Sequence, residues 1–369
     1  MRIKTAILSI MLLGVLTSCS APFQLITGNV LTGGGIFARP RTPLYQEDAN
    51  SPFKMISIEI FGEYGDATLI DFGDVEILID GATKETNTHL DQVLTQYVND
   101  HRLEMLVVTH AHSDHLAGLD EVGLNNINQI DYIIDYGYQG VTSSAHAYVA
   151  QRVEYINNGS RYYPITSAIE EVPVWQMTSS LRIEFLNTNN YLLPEQVTGE
   201  EGHNIHSIAT LISYGNWRIF LAGDLETSGE RYLATQYAKR INERNLVIMK
   251  ANHHGGLTNN NGLELFNWLK PDYVFISAAL KNSNLNLSTY TPQHPEAAFV
   301  RRALSYTEEV YWNAINGDLS FALAPQALPT ISGAIRHQIY KINYQTVDPV
   351  SEKDSRLTAS AWYQAYLAI

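Results

Sequence analysis

Short apolar runs that alternate with polar residues mark where the chain becomes a packed domain. Ile56, Ile58 and Ile60 alternate with Ser57, Glu59 and Phe61, and the runs Ala67 to Ile70 and Val75 to Ile79 follow, bounded by glycines. Period-two segments of this length predict strands. Leu90, Val93, Leu94, Tyr97 and Val98 then fall at helical spacing, and Met105 to Val108 is the next apolar run. Further strands are expected at Tyr132 to Ile134, Leu181 to Leu186, Ile208 to Ile212, Trp217 to Ala222, Leu246 to Met249 and Tyr273 to Ile276. Helices are expected around Ala145 to Asn157, Gly229 to Arg240, Leu263 to Leu269 and Pro295 to Leu304. Strands first, then strands mixed with helices, suit an α+β domain of two sheets packed face to face with helices outside.

Chemistry concentrates where these strands end. Directly after Met105 to Val108 comes Thr109-His110-Ala111-His112-Ser113-Asp114-His115. In an extended or turning backbone His110 and His112 project to one side and can grip one ion, while Asp114 and His115, displaced around the next turn, can face a second. Imidazole and carboxylate suit zinc, manganese or ferrous iron, and no thiolate is offered. Trp217 to Ala222 leads into Gly223-Asp224, and Leu246 to Lys250 leads into Ala251-Asn252-His253-His254-Gly255-Gly256. Alone, a Gly-Asp pair reads as a turn and a His pair as a polar loop. Their shared position at strand ends makes a convergent site the better reading.

An aspartate after an early strand (Asp80 in Ile77-Leu78-Ile79-Asp80-Gly81), then H-x-H-x-D-H, then Gly-Asp, then a late histidine, resembles the metallo-β-lactamase superfamily. Within it, His253-His254-Gly255, Asn204-Ile205-His206-Ser207 and Thr291-Pro292-Gln293-His294-Pro295 look like the hydrolase domain of the competence protein ComEC and its stand-alone relatives. The phosphorylcholine esterases of the superfamily are also similar. The match spans roughly Met55 to Leu323. It implies a pseudo-duplicated αββα sandwich and a pair of divalent ions, zinc foremost, with manganese or iron as alternatives. By this resemblance His110 and His112 hold the first ion, Asp114, His115 and His253 the second, and Asp224 bridges them. Asp80 braces the histidine loop through hydrogen bonds. A third histidine for the first ion is not in the usual glycine-flanked setting here; of His203 and His206, His206 is put forward. Sequence does not separate His253 from His254. His253, first off the strand, is taken as ligand, which leaves His254 for substrate.

Two metals lower the pKa of water and offset charge on the oxygens of an in-line displacement, which suits phosphodiesters and also lactones, lactams or thioesters. Asp114, His254 and His294 are the expected catalytic groups, His294 as a proton donor, and Thr258 is expected near a phosphate unless it is simply a turn residue. With 24 Lys and Arg against 38 Asp and Glu, the net charge is −14. That sign is opposite to what a surface tracking a long polyanion needs, so a phosphodiester end, a small phosphodiester or a short single strand of nucleic acid is expected rather than duplex DNA. The alternative from another class is an envelope binding protein that does not turn over.

The amino terminus points to a compartment. Arg2 and Lys4 precede the apolar run Ala6 to Leu16, too short to span a bilayer, and Leu16-Thr17-Ser18-Cys19 closes it. This resembles the bacterial lipobox, which implies a signal peptide over 1–19, a lipid on Cys19 and a lipoprotein held to the membrane of the bacterial cell envelope. Residues 20–54, with Gly33-Gly34-Gly35, Pro40, Pro43 and Pro52, read as a tether. The hydrolase domain is placed at 55–325 and a carboxy-terminal extension at 326–369, ending in a Tyr-, Trp- and Ala-rich stretch from Ala359.

Overall fold

A computed structural model of the chain describes residues 44–47, 51–62, 64–137, 142–165, 173–186, 203–279, 294–325, 327–333 and 341. The leader with Cys19, most of the tether, Thr291 to Gln293 and the stretch from Ala359 lie outside the described residues. The first sheet opens with β1 (Phe53–Ser57), β2 (Thr68–Asp71), β3 (Glu76–Ile79), β4 (Arg102–Val107), β5 (Gln129–Asp135) and β6 (Arg161–Pro164). The second consists of β7 (Val174–Gln176), β8 (Leu181–Leu186), β9 (Ala209–Tyr214), β10 (Trp217–Leu221), β11 (Leu246–Lys250), β12 (Tyr273–Ile276) and β13 (Val310–Trp312). The chain then returns to the first sheet through β14 (Leu319–Ala324) and β15 (Ala327–Gly333), giving the order β15-β14-β1-β2-β3-β4-β5-β6.

Period-two alternation builds the sandwich. In the second sheet Ile212, Ile219, Ile248 and Phe275 share one core with the first sheet. Their neighbours Leu211, Phe220, Val247, Val274 and Ile276 turn to the other face and pack on helices α4 (Thr227–Gln236), α5 (Leu263–Leu269) and α6 (Ala297–Leu304) through Leu233, Phe266 and Phe299. Helices α1 (Asn87–Tyr97) and α3 (Ser143–Asn157) add Leu90, Leu94, Tyr148 and Tyr155 to the core shared with the first sheet. The result is an αββα sandwich, as expected from the sequence.

Strand direction decides where chemistry can gather. β3 to β6 are mutually parallel, and so are β10 to β13. Parallel neighbours need crossovers, so their carboxyl ends share one edge, the crevice where α/β sheets place ligands. β4, β10 and β11 all end there, which is why each motif follows an apolar run.

Some expectations shift. Tyr45, in the stretch read as tether, is fastened to the domain: its N–H donates to the Met177 carbonyl and its hydroxyl to Asp131, at 2.8 and 2.6 Å. β15 carries Pro329 and, among the described residues, has a strand partner on one side only, an edge position of the kind that tolerates a missing N–H.

Candidate metal centre

Asp80 organises the histidine loop. It follows β3 with a left-handed backbone, φ 58°, and its carboxylate accepts from the Thr109 N–H and hydroxyl, both at 2.7 Å. The same carboxylate lies 2.8 Å from His115 Nδ1. One buried aspartate thus fixes both ends of the H-x-H-x-D-H loop and leaves His115 Nε2 facing inward. The short helix α2 (Ser113–Leu116) carries Asp114 and His115 around the turn.

Two sets of donors meet on Asp224. His110, His112 and Asp224 offer ligand atoms within 4.8 Å of one another, and so do Asp66, His115, Asp224 and His254. His110 Nε2 is 3.1 Å from His112 Nδ1 and 3.8 Å from Asp224 Oδ2. His115 Nε2 is 3.2 Å from Asp224 Oδ1, and His254 Nε2 is 3.6 Å from Asp224 Oδ2 and 3.1 Å from Asp114 Oδ2. Asp224 reaches this point because Gly223 turns through φ +50°, where a Cβ would stand 2.5 Å from Thr109 Oγ1. The Asp224 N–H donates to Ser207 Oγ at 3.1 Å, so the Asn204-to-Ser207 stretch also holds the turn.

The electrostatics are those of a cation site. Burial disfavours the charged forms, yet Asp224 and then Asp80 raise His115 well above the usual histidine range. Burial likewise opposes His254, and Asp224 and Asp66 outweigh it, raising the ring to about 10. Asp224, despite burial, is held well below the usual carboxylate range by His115 and His254. His115 Nε2 and Asp224 Oδ1 are buried and, apart from their 3.2 Å approach to each other, have no hydrogen-bond partner among the described residues. Buried polar atoms need partners, and inward-turned imidazoles beside carboxylates form the donor set of zinc, manganese or iron.

The structure places the two histidines of the late motif differently. His253 and His254 both adopt left-handed backbones, φ 46° and 52°. His254 is buried and turned into the donor cluster, whereas the His253 side chain is 32% exposed, with Nε2 3.7 Å from Asp224 Oδ2 and Nδ1 2.9 Å from Asn260 Oδ1. An asparagine brace supports the turn. The Asn261 side-chain amide donates to the carbonyls of Asn252 and Gly256 at 2.7 and 2.6 Å, and that of Asn260 to the carbonyls of Asp224 and Leu225 at 3.0 Å each.

His203, rather than His206, faces the first donor set. Its ring lies 5.5 Å from that of His112, and its Nδ1 is 2.7 Å from the Tyr136 hydroxyl, while His206 stacks on Tyr136 at 6.2 Å. His294 stands at the rim, 4.9 Å from the His253 ring. Burial, with His254 and His253, pushes it down to about 4, so it is a neutral ring at pH 7. Thr258 is exposed and turned toward Glu296, at 3.4 Å.

Two residues were missed. Asp66 is buried two residues before β2, with Oδ1 3.5 Å from His254 Nδ1 and Oδ2 3.7 Å from His115 Nδ1. Tyr64, two positions earlier, stacks on the His254 ring at 5.6 Å. A Cβ on the intervening Gly65 would stand 2.7 Å from the Asp114 carbonyl, so this turn is pressed against the histidine loop. The signal available was the Tyr-Gly-Asp step directly before an apolar strand.

No family model matches this chain, and no curated protein matches it. Among solved structures it is similar to the metallo-β-lactamase fold protein YhfI from Bacillus subtilis, at 13% identity over 71% of this chain and 96% of that one, with a TM-score of 0.41. It is also similar to the β-hydroxylase CmlA, at 11% identity over 75% of this chain and 54% of that one, with a TM-score of 0.43. A diphosphatase of the PhnP family is similar at 11% identity over 73% of this chain and 98% of that one, with a TM-score of 0.37. Likenesses this distant assign no function, and the chemistry has to come from the side chains.

Proposed function

We propose that the chain is a metal-dependent hydrolase of the metallo-β-lactamase type that cleaves phosphodiester bonds. The observation that carries the reading is the sharing of Asp224 between two donor sets. His110 and His112, with His203 beside them, would hold one divalent ion; His115 and His254 would hold the other with Asp114, whose Oδ2 lies 3.1 Å from His254 Nε2, in place of Asp66, which lies on the Nδ1 sides of both rings; and Asp224 would serve both. Bound there, the ions would supply Lewis acidity, ionising water near neutral pH and offsetting charge on phosphoryl oxygens.

The side chains prepare this chemistry before substrate arrives. Asp80 occupies the Nδ1 side of His115, and the Ser277 carbonyl, 3.0 Å away, occupies the Nδ1 side of His254. Both rings therefore keep Nε2 for the centre, the arrangement that raises ligand basicity and locks ring orientation. Tyr64, half-buried against His254, and the neutral His294 line the side from which a substrate would approach. The net charge of −14 favours a small phosphodiester or a strand end over a long duplex.

Metal analysis of the purified protein, followed by assay on a generic phosphodiester, on single-stranded DNA and on a lactone, tests the reading. Metal with phosphodiester turnover supports it. Metal with turnover of the lactone alone replaces the substrate class with acyl compounds, and no metal makes the chain a binding protein. We further propose, from Leu16-Thr17-Ser18-Cys19, that the protein is a lipid-anchored lipoprotein of the cell envelope. Radiolabelled palmitate should enter the wild-type chain and not Cys19→Ala; equal labelling of both would refute the anchor.

A further inference from the structure

Lys250 is the last residue of β11, and it is only 2% exposed. Lysine is seldom buried unless paired, because its ammonium is strongly hydrated. Here Nζ meets three oxygens: Asp66 Oδ2 at 2.5 Å, the Ala251 carbonyl at 2.8 Å and the Gly223 carbonyl at 3.1 Å. Each acceptor belongs to a different turn. Asp66 lies two residues before β2, beside His115 and His254; Gly223 immediately precedes Asp224; Ala251 begins the step that ends in His254. The Gly223 carbonyl also accepts from the His253 N–H at 3.1 Å, which ties the same two turns a second time.

The placement of Asp66 sets its role. Its oxygens lie on the Nδ1 sides of His115 and His254, whereas Asp114 and Asp224 lie on the Nε2 sides. Lysine neutralises Asp66 at contact distance and keeps it behind the rings. Its charge there adds to the Asp80 carboxylate and the Ser277 carbonyl in favouring the tautomer with the proton on Nδ1, which leaves Nε2 free for a metal.

We propose that Lys250 is a positioning residue for the metal centre: its ammonium gathers Asp66 and the Gly223 and Ala251 carbonyls at one point and so fixes Asp224 and His254. This rests on the metal reading above. The role is distinct from ligation, since the three acceptors satisfy all three ammonium protons.

Zinc affinity, measured at equilibrium by competition with a chromophoric chelator, tests the proposal on the folded full chain, with folding checked by circular dichroism. Lys250→Met should bind zinc roughly 10- to 100-fold more weakly than wild type, the loss typical of groups that orient ligands. Lys250→Gln, which keeps two donor hydrogens, should fall between them. Should Lys250→Met fail to fold, the double variant Asp66→Asn/Lys250→Met, which removes both members of the buried ion pair, should bind zinc at least roughly tenfold more weakly than Asp66→Asn alone. A lysine that merely stabilises the fold would lower the melting temperature and leave zinc affinity unchanged; wild-type affinity in Lys250→Met, or the affinity of Asp66→Asn in the double variant, overturns the proposal. A wild-type chain that binds no zinc overturns the metal reading, and this inference with it.

Discussion

His254 Nε2 stands 3.1 Å from Asp114 Oδ2, although 140 positions separate the two residues in sequence. The contact brings the end of β11 to the histidine loop after β4, and it supports the proposal that His254 is the late histidine of the centre. His254→Ala should therefore remove one half of the metal capacity and abolish turnover. His253→Ala, whose ring is held by Asn260 at the rim, should cost no more than roughly tenfold in zinc affinity. Chelator competition on the two variants checks this, and equal losses would contradict the assignment.

The first donor set gives a parallel contrast. His203 faces His112, while His206 packs flat on Tyr136. His203→Ala should weaken zinc binding by roughly 10- to 100-fold, and His206→Ala should lower the melting temperature with little change in zinc affinity. Reversed effects would restore His206 as the ligand.

A pH dependence of stability follows from a carboxyl pair far from the centre. Glu76 and Glu104 are both buried, and the Glu76 N–H donates to Glu104 at 2.8 Å. Burial, and then the Glu104 charge, push the Glu76 carboxyl up to about 9 from an ordinary 4.5. A group that binds its proton more tightly in the folded state stabilises that state below its unfolded pKa, and the contribution is lost as pH rises through the folded value. Melting temperature should therefore fall between about pH 4.5 and 9, by about 2–4 °C for each kcal/mol lost. Glu76→Gln should flatten the profile; an unchanged slope would show that the pair does not titrate in this way.

How much of this was legible depended on whether the signal was local. His110, His112, Asp114 and His115 lie within one short segment, and Gly223-Asp224 follows an apolar run, so sequence spacing could point to both. Asp66 could not be found that way, because an aspartate after glycine reads as a turn and its partner Lys250 lies on a distant strand. The choice between His253 and His254 was beyond sequence spacing for a geometric reason. Side-chain direction follows simple periods only in strands and right-handed helices, and both residues sit at positive φ. Most long apolar strands were legible in type and approximate span; β14 and β15 were not expected, and neither were β6, β7 and β13. Those last three are three or four residues long and rich in Tyr and Trp, so no alternation has room to develop.

The central claim is that Asp224 is shared by two ions. Metal content after equilibrium dialysis against zinc, compared between wild type and Asp224→Asn, tests it most directly. About two ions per wild-type chain, with sharply reduced content in a folded Asp224→Asn, is the predicted result. A metal-free wild type, or a variant that retains the full content, would contradict it.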